Sequence, residues 1–349
     1  MAIKISFCIP TLNRGSFIGA TLESIISQAT ESIEIVIVDG GSTDNTSEVV
    51  RQYQKNFPRL RYFRPDASDT KAITAKPSNV GFDQDCSRAV ELAQGEYCWL
   101  FTDDDLLMPC AVNAVLNEIS KGYSLIVVNA QVMNRDLSKI LENERLKMDT
   151  NEIYSKSEME QLFNRAVSYL SFVGGVVINR NLWLQREKER YFGTGFIHIG
   201  VIFQAPLPAS AFVIAEPYIT IRYGNSQWSQ RAFEIWIFRW PNLLYSFAHI
   251  PERAKREYQN TESWPRLRKI IIYRAMGAYT LEEYKKWFAA ADSSLRWRFA
   301  TLFIALMPAC FVNLFLLSYL KIIKKEALLI ECLKNDKNNI MNIMRRKDR

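Results

Sequence analysis

Along the first 130 positions, short apolar runs alternate with amphipathic stretches. Ile3 to Ile9, the nearly all-apolar Ile33 to Val38, Leu60 to Phe63, Tyr97 to Phe101 and Leu125 to Val132 read as strands bounded by turn-forming residues. Between them, Phe17 to Gln28, with Leu22, Ile25 and Ile26 on one face, reads as a helix. So do Thr43 to Gln54, Asp83 to Gln94 capped by Asp83, and the segment after Pro109. Strands suited to burial on both faces and separated by helices predict an α/β fold on a doubly wound, mainly parallel sheet. After a polar connection at 133–151, the pattern predicts a helix at 157–170. A short apolar segment at 172–178 and aromatic-rich helical stretches from about 196 to 247 follow.

Farther on, Arg298 and Lys321 bracket 22 uncharged residues, Phe299 to Leu320, interrupted by Pro308 and Asn313. The length suits a bilayer span. The interruptions and the basic residues at both ends (Arg296, Arg298, Lys321, Lys324, Lys325) instead favour a kinked helix or helical hairpin in one leaflet. A helix buried in the fold is the alternative. The net charge of +7 is unevenly spread: −3 over 1–250, +5 over 251–298 and +5 over 299–349. A basic excess that encloses an apolar stretch points to an anionic membrane surface as partner, with no nucleic acid.

Three parts follow along the chain: 1–132 as a ligand-binding half, 133–250 as a second half of the same domain, and 251–349 as a basic helical, membrane-associating extension carrying 299–320. At 349 residues, 48% hydrophobic and 12% aromatic, the chain is not mainly disordered. Its six cysteines include no CxxC pair, which predicts reduced, packed thiols and no structural zinc. A strand pattern from Ile3, with no charged-then-apolar leader before it, predicts no cleaved signal peptide and a cytoplasmic catalytic part.

The candidate chemistry sits at the ends of the strands. Asp103, Asp104 and Asp105 directly follow the apolar run that ends at Phe101, at the edge where open α/β sheets bind ligands. Adjacent anions repel, and a hard divalent cation shared with substrate phosphates would relieve that; a solvated acidic turn is the plainer alternative. Pro10-Thr11-Leu12-Asn13-Arg14 closes the first strand, with Pro10 expected to stop its ladder. Asp39, ahead of Gly40-Gly41-Ser42-Thr43-Asp44-Asn45-Thr46, is placed to accept hydrogen bonds from a ribose or nucleobase. Neither strand is followed by GxGxxG or GxxxxGK[ST], which argues against dinucleotide and P-loop readings.

Taken in order, Pro10-Thr-Leu-Asn-Arg14, Glu34 to Asp39 with Gly-Gly-Ser-Thr-Asp-Asn-Thr46, Asn79-Val-Gly-Phe82, the aspartate cluster and Pro109 resemble a family 2 glycosyltransferase of the GT-A fold. The motifs cover residues 1 to about 132. Asn79-Val-Gly-Phe-Asp83 together with Gly95 to Asp105 is most similar to the abequosyltransferase-like branch, whose members add deoxyhexoses during O-antigen assembly.

The resemblance implies that a nucleotide-diphosphate sugar donor is bound by Pro10, Thr11, Asn13, Arg14, Asp39, Asn79, Asp83, Asp103 and Asp104. It implies Mg²⁺ or Mn²⁺ on Asp103 and Asp105, with Asp105 favoured because, counted back from Pro109, the first position of the family's Asp-x-Asp-Asp falls on Thr102. The family's Glu-Asp base pair is absent near Phe196 to Ile199. His198 lies close by and suits proton removal, with a buried structural histidine as the alternative. Asp104 and Glu234 are further catalytic candidates, and Glu216 a fallback.

Arg222, Arg231 and Arg239 are candidates for an acceptor diphosphate, and Trp228, Trp236 and Trp240 for a shared helical face. Trp236 stands where processive relatives have Gln, so transfer of one sugar is expected, to a lipid-linked oligosaccharide at the cytoplasmic face of the bacterial inner membrane. The rivals are a non-catalytic nucleotide-sugar-binding membrane partner and a sugar nucleotidyltransferase. The latter lacks its glycine-rich loop at Pro10 to Asn13.

Overall fold

Strands β1 (Ile5–Thr11) and β2 (Ile33–Asp39) are buried at every residue, as their apolar sequences require. They pair in parallel, with Ile5 opposite Ile33 and Thr11 opposite Asp39. In the computed structural model, which describes residues 2–64, 81–258, 267–289, 294–323 and 326–334, β3 (Leu60–Phe63) extends this sheet on the β2 side and β4 (Tyr97–Leu100) on the β1 side, both parallel. Helices α1 (Ile18–Ile26), α2 (Thr46–Asn56) and α3 (Phe82–Leu92) make the crossovers. Helix α1 buries Ile18, Thr21, Leu22 and Ile25, the spacing of a single helical face. The sheet interior is aromatic: Phe7 stacks on Trp99 at 5.0 Å, and Phe101 meets both edge-on.

After the two-residue strand β5 (Leu106–Leu107) and helix α4 (Ala111–Ile119) come β6 (Leu125–Met133), β7 (Ile140–Glu142), β8 (Glu152–Tyr154) and helix α5 (Met159–Ala166). Strand β9 (Val176–Asn179), helices α6 (Arg180–Gln185) and α7 (Ile197–Phe203), and strand β10 (Ala211–Arg222) follow. The main path of the sheet is β3-β2-β1-β4-β9-β6-β10-β5, with β8 on β10.

The expected α/β fold stands, and three of its details differ. The sheet is mixed, because β9 runs antiparallel to both β4 and β6, and β10 antiparallel to β5 and β8. The stretch expected to be helical throughout 196–247 contains the 12-residue strand β10. Its Val213, Ile214, Ile219, Thr220 and Ile221 favour extended backbone, and pairing with β5 and β8, more than 50 positions away, completes it. The first strand also runs through Pro10, which is buried opposite Val38 and does not end the ladder.

The chain forms two compact units. The first holds Met1–Val132, Glu142–Arg222 and Ser246–Ala254; the second holds Met133–Leu141, Tyr223–Tyr245 and Lys255–Arg349. The helices completing the chain are α8 (Ala232–Glu234), running into a π-helical turn Ile235–Arg239, α9 (Trp240–Tyr245), α10 (Glu252–Lys255), α11 (Leu267–Ala275), α12 (Leu281–Trp287), α13 (Leu295–Leu306) and α14 (Ala309–Ile323). In the second unit, Phe233 is ringed by Tyr273, Tyr279, Phe288 and Phe238. All six cysteines are free thiols.

In the first unit, the fully buried Asn129 ties three segments together. Its amide donates to the Leu146 and Ala215 carbonyls at 2.9 and 2.6 Å, and its oxygen accepts from the Ala130 and Leu146 amides at 2.8 Å. Asn129→Leu strands these buried backbone groups and should destabilise the protein by about 2–4 kcal/mol, read as a lower urea midpoint at unchanged slope.

Candidate active site

The parallel register brings the ends of β1, β2 and β4 to one edge, and the loops that leave them are sewn together by their own side chains. The Gly40 amide donates to the Thr11 carbonyl at 2.9 Å and the Phe101 amide to the Cys8 carbonyl at 3.0 Å. Asn13 adopts a left-handed conformation, φ 54°. Its amide donates to Ser42 Oγ at 2.8 Å and its side-chain oxygen accepts from the Thr43 amide at 2.7 Å. The Arg14 amide donates to Thr46 Oγ1 at 2.9 Å and the Gly15 amide to Asp44 Oδ2 at 3.0 Å. A side chain at Gly15 would collide with Asn45, whose Oδ1 lies 2.0 Å from where a Cβ would stand. The two motifs read separately from the sequence are thus one structure.

Beyond Phe101, the aspartate loop lies along the polar face of α1. Thr21 Oγ1 donates to the Asp105 carbonyl at 2.8 Å, Ser24 Oγ accepts from the Leu107 amide at 3.0 Å, and Gln28 donates to the Met108 carbonyl at 3.0 Å. Thr21, Ser24 and Gln28 are spaced three and four apart, so one helix face holds the loop.

Two arginines contain the charge of the three carboxylates. Arg14 Nε lies 3.2 Å from Asp103 Oδ1, and its terminal nitrogen 3.5 Å from Asp104 Oδ2. Arg222, at the end of β10, donates its amide to Asp105 Oδ1 at 2.7 Å and its Nε to the Asp104 carbonyl at 2.9 Å. Both guanidinium groups lie over the Phe17 ring, at 5.8 and 5.3 Å. Burial pushes the Asp103 carboxyl up to about 7, the charge of Asp104 adds to this, and Arg14 opposes it. Asp105 is likewise held well above the usual carboxylate range by burial and by Asp104.

Mg²⁺ or Mn²⁺ can be weighed against this arrangement. Asp105 does not fit a metal ligand: it is 3% exposed, Oδ2 accepts from Thr102 Oγ1 and Oδ1 from the Arg222 amide. Asp103 and Asp104 offer oxygen donors of the right hardness, held on Arg14. Among the described residues no three His, Cys, Asp or Glu side chains converge to hold a metal. Among the described residues of this loop, Asp103 and Asp104 are the carboxylates that would hold a cation.

Asp39 is fully buried at the end of β2, accepting from the Gly41 and Ser42 amides at 3.0 and 2.7 Å and from the Tyr62 hydroxyl. The buried Thr11 side chain faces Asp103, and its hydroxyl helps to hold that carboxyl down against burial. Asp85, on α3, escaped notice in the sequence. It is buried, and burial followed by the negative charge of Asp39 pushes its carboxyl up to about 7. Nothing in its helical spacing relates it to Asp39; only the crossover from β3 does.

Other candidates fall away from this edge. Asp83 does not point to a ligand: its two oxygens accept from the Gly195 and Ile197 amides at 2.8 and 3.0 Å, at the start of α7, and it lies in the first turn of α3 rather than capping it. His198 is 1% exposed inside α7, with Nε2 donating to the Leu170 carbonyl at 2.7 Å and Nδ1 unpartnered. Burial lowers its pKa to about 4 against that hydrogen bond. A sealed imidazole cannot reach an acceptor hydroxyl, so the structural alternative holds for His198.

In the second unit, Glu234 is bound to Arg239 at 3.0 Å and faces Lys286 at 3.6 Å. Burial raises its carboxyl, the two cations outweigh that, and the net shift is downward, away from base function. Trp228, Trp236 and Trp240 form an edge-to-face ladder at 6.0 and 5.8 Å. Glu216 is exposed on β10, and Asn79 lies outside the described residues.

A mixed sheet with an acidic loop at the end of its central parallel strands is the GT-A architecture. The Glycosyl transferase family 2 model matches residues 6–179, and the chain belongs to that family. The abequosyltransferase RfbV of Salmonella typhimurium is 25% identical over 240 residues, 65% of this chain and 69% of that protein. The GalNAc(5)-diNAcBac-PP-undecaprenol beta-1,3-glucosyltransferase of Campylobacter jejuni is 29% identical over 209 residues, 56% of this chain and 62% of that one. Among solved structures, S. aureus TarS 1-349 in complex with UDP superimposes with a TM-score of 0.53 at 15% identity, covering 99% of this chain and 92% of that one, which establishes the likeness of fold.

Asp85 supplies a measurable signature. A carboxyl raised to about 7 when folded holds its proton more tightly than the unfolded chain does, so stability falls as pH rises from about 4 to about 7 and stays lower above. Asp85→Asn should flatten that slope and stabilise the protein by a few kcal/mol, on the order of 1–3, at pH 8 while changing little at pH 4. Denaturant melts across the pH range check it.

Proposed function

We propose that the protein transfers a single sugar from a nucleotide-diphosphate donor to a hydroxyl of a lipid-linked oligosaccharide in bacterial surface-polysaccharide synthesis, with a deoxyhexose as the favoured sugar. One observation carries this reading: Thr11, Asp39 and the aspartate loop meet at the ends of adjacent parallel strands, with Asp103 and Asp104 bridged by an arginine. Family membership supports it, as do the activities named for the Salmonella and Campylobacter relatives and the UDP bound by the structural neighbour. A polyprenyl-diphosphate acceptor is in keeping with the undecaprenol named for the Campylobacter enzyme.

In this reading, Asp39 and Thr11 orient the nucleoside, and Arg14 exchanges a carboxylate for a donor phosphate, a match suited to its planar fork. Mg²⁺ or Mn²⁺ on Asp103 and Asp104 would neutralise charge on the departing nucleoside diphosphate when bound. His198 and Glu234 are withdrawn as bases by their burial and pairing, which leaves Asp104 within the cluster and the exposed Glu216 on β10 as the sequence-derived candidates.

Thermal shift with CDP-, UDP-, GDP- and dTDP-sugars plus Mn²⁺ should single out one nucleotide, since a ligand at about 100 times its Kd stabilises by about 2.7 kcal/mol. Asp103→Asn combined with Asp104→Asn should lower kcat/KM for sugar transfer at least about 100-fold while leaving the circular-dichroism spectrum unchanged. Wild-type rates in this variant would refute the assignment of the cluster. Donor stabilisation without transfer by the wild type would favour a non-catalytic binding partner.

A further inference from the structure

Helices α13 and α14 bury one face each and leave the other bare. Thr301, Ile304 and Ala305 of α13, and Val312, Leu317 and Leu320 of α14, lie inside the second unit. On the outer faces, Phe299, Phe303 and Leu306 are 60–67% exposed, and Phe311, Phe315 and Ile322 are 69–79% exposed. Within each helix these side chains recur at spacings of three, four or seven, so each set forms a single apolar stripe. Large phenylalanine and isoleucine side chains concentrated this way mark a surface that something covers.

Neither helix is long enough by itself to cross a bilayer, although the bent pair together has the length and composition of a broken span. Among the described residues no single helix is long and apolar enough to cross one, and α13 and α14 meet at a bend of 96°. Their 12 and 15 residues rise about 18 and 22 Å, against the roughly 30 Å of a hydrocarbon core. Polar side chains hold the bend and the inner face. Arg274 Nε donates to the Met307 carbonyl at 2.7 Å, at the break itself, and Asn313 donates to the Ala275 and Leu333 carbonyls at 3.0 Å. Straightening the pair into a span would break these buried bonds, which is costly.

Charge selects the occupant. From Ser293 to Lys325 there is no acidic residue, while Arg296, Arg298, Lys321, Lys324 and Lys325 flank the apolar stretch. Arg296 and Lys321 are exposed at its two ends. A self-association face gains nothing from a one-signed rim, which repels its own copy; an anionic lipid headgroup layer is attracted to it. We propose that α13 and α14 lie in one leaflet of an anionic bilayer, with Phe299, Phe303, Phe311, Phe315 and Ile322 in the acyl layer and the basic residues among the headgroups. The inference goes beyond the donor-site reading and stands without it.

The test uses the full chain and vesicles of phosphatidylethanolamine containing about one-third phosphatidylglycerol, the anionic fraction being the variable that matters. Wild type should co-sediment with these vesicles. Phe311→Ser combined with Phe315→Ser and Phe303→Ser should bind at least about 100-fold more weakly, with unchanged thermal melting because all three are exposed. Arg296→Gln with Lys321→Gln should lose roughly tenfold on anionic vesicles and little on neutral ones, and added salt should mimic it. Transfer to a water-soluble acceptor analogue should be unchanged in every variant, which separates this test from that of the active site. Undiminished vesicle binding by the triple serine variant overturns the proposal. So does a dimer in light scattering that the same variant dissolves while wild type ignores vesicles, which would assign the face to a second copy of the chain.

Discussion

Asp103, Asp104 and Asp105 crowd three carboxylates at the end of one buried strand, and much of the first unit is arranged to contain their repulsion. Arg14 comes from the loop after β1, Arg222 from the end of β10, and Phe17 provides a ring on which both guanidinium groups rest. The cluster is tolerated because its counter-charges are built into different parts of the chain. Burial, and then the charge of Asp104 beside them, raises the carboxyls of Asp103 and Asp105, a perturbation of the kind that functional sites concentrate.

That constraint explains the sheet's departure from a simple doubly wound pattern. Parallel pairing ends at β4, whose other neighbour β9 is antiparallel. Here β9, β6 and β10 continue the sheet in mixed directions, and β10 returns toward the acidic edge, where its last residue, Arg222, meets Asp104 and Asp105. Strand β5, two residues long, pairs with β10 and fixes the far end of the aspartate loop, while α1 holds its middle through Thr21 and Ser24. Loop, helix and strand therefore set the positions of the carboxylates jointly.

The second unit follows a different logic. It packs aromatic side chains around Phe233 and keeps polar anchors, Arg274 and Asn313, at the inner faces of α13 and α14. Its outer stripes remain apolar and its charge is basic. A donor site and an apolar face with a basic rim in one chain are in keeping with the proposed transfer from a dissolved donor to an anchored acceptor.

Much was legible from local pattern. The five strands and the helices between them up to Val132 follow from apolar runs and single-face spacing, because each is set by residues a few positions apart. The acidic loop and the Asp39 turn were equally visible, since their chemistry is contiguous in sequence. What only the tertiary structure decided depends on distant contacts. These include β10, whose partners lie more than 50 positions away, the capture of Asp83 by the start of α7, and the sealing of His198 against Leu170. They include the placing of buried Asp85 within the field of Asp39 and the hydrogen bond of the Arg222 amide to Asp105. A residue's type states which chemistry it can perform; its burial and its neighbours, which arise from the whole fold, determine whether that chemistry is open to a ligand or closed inside the core.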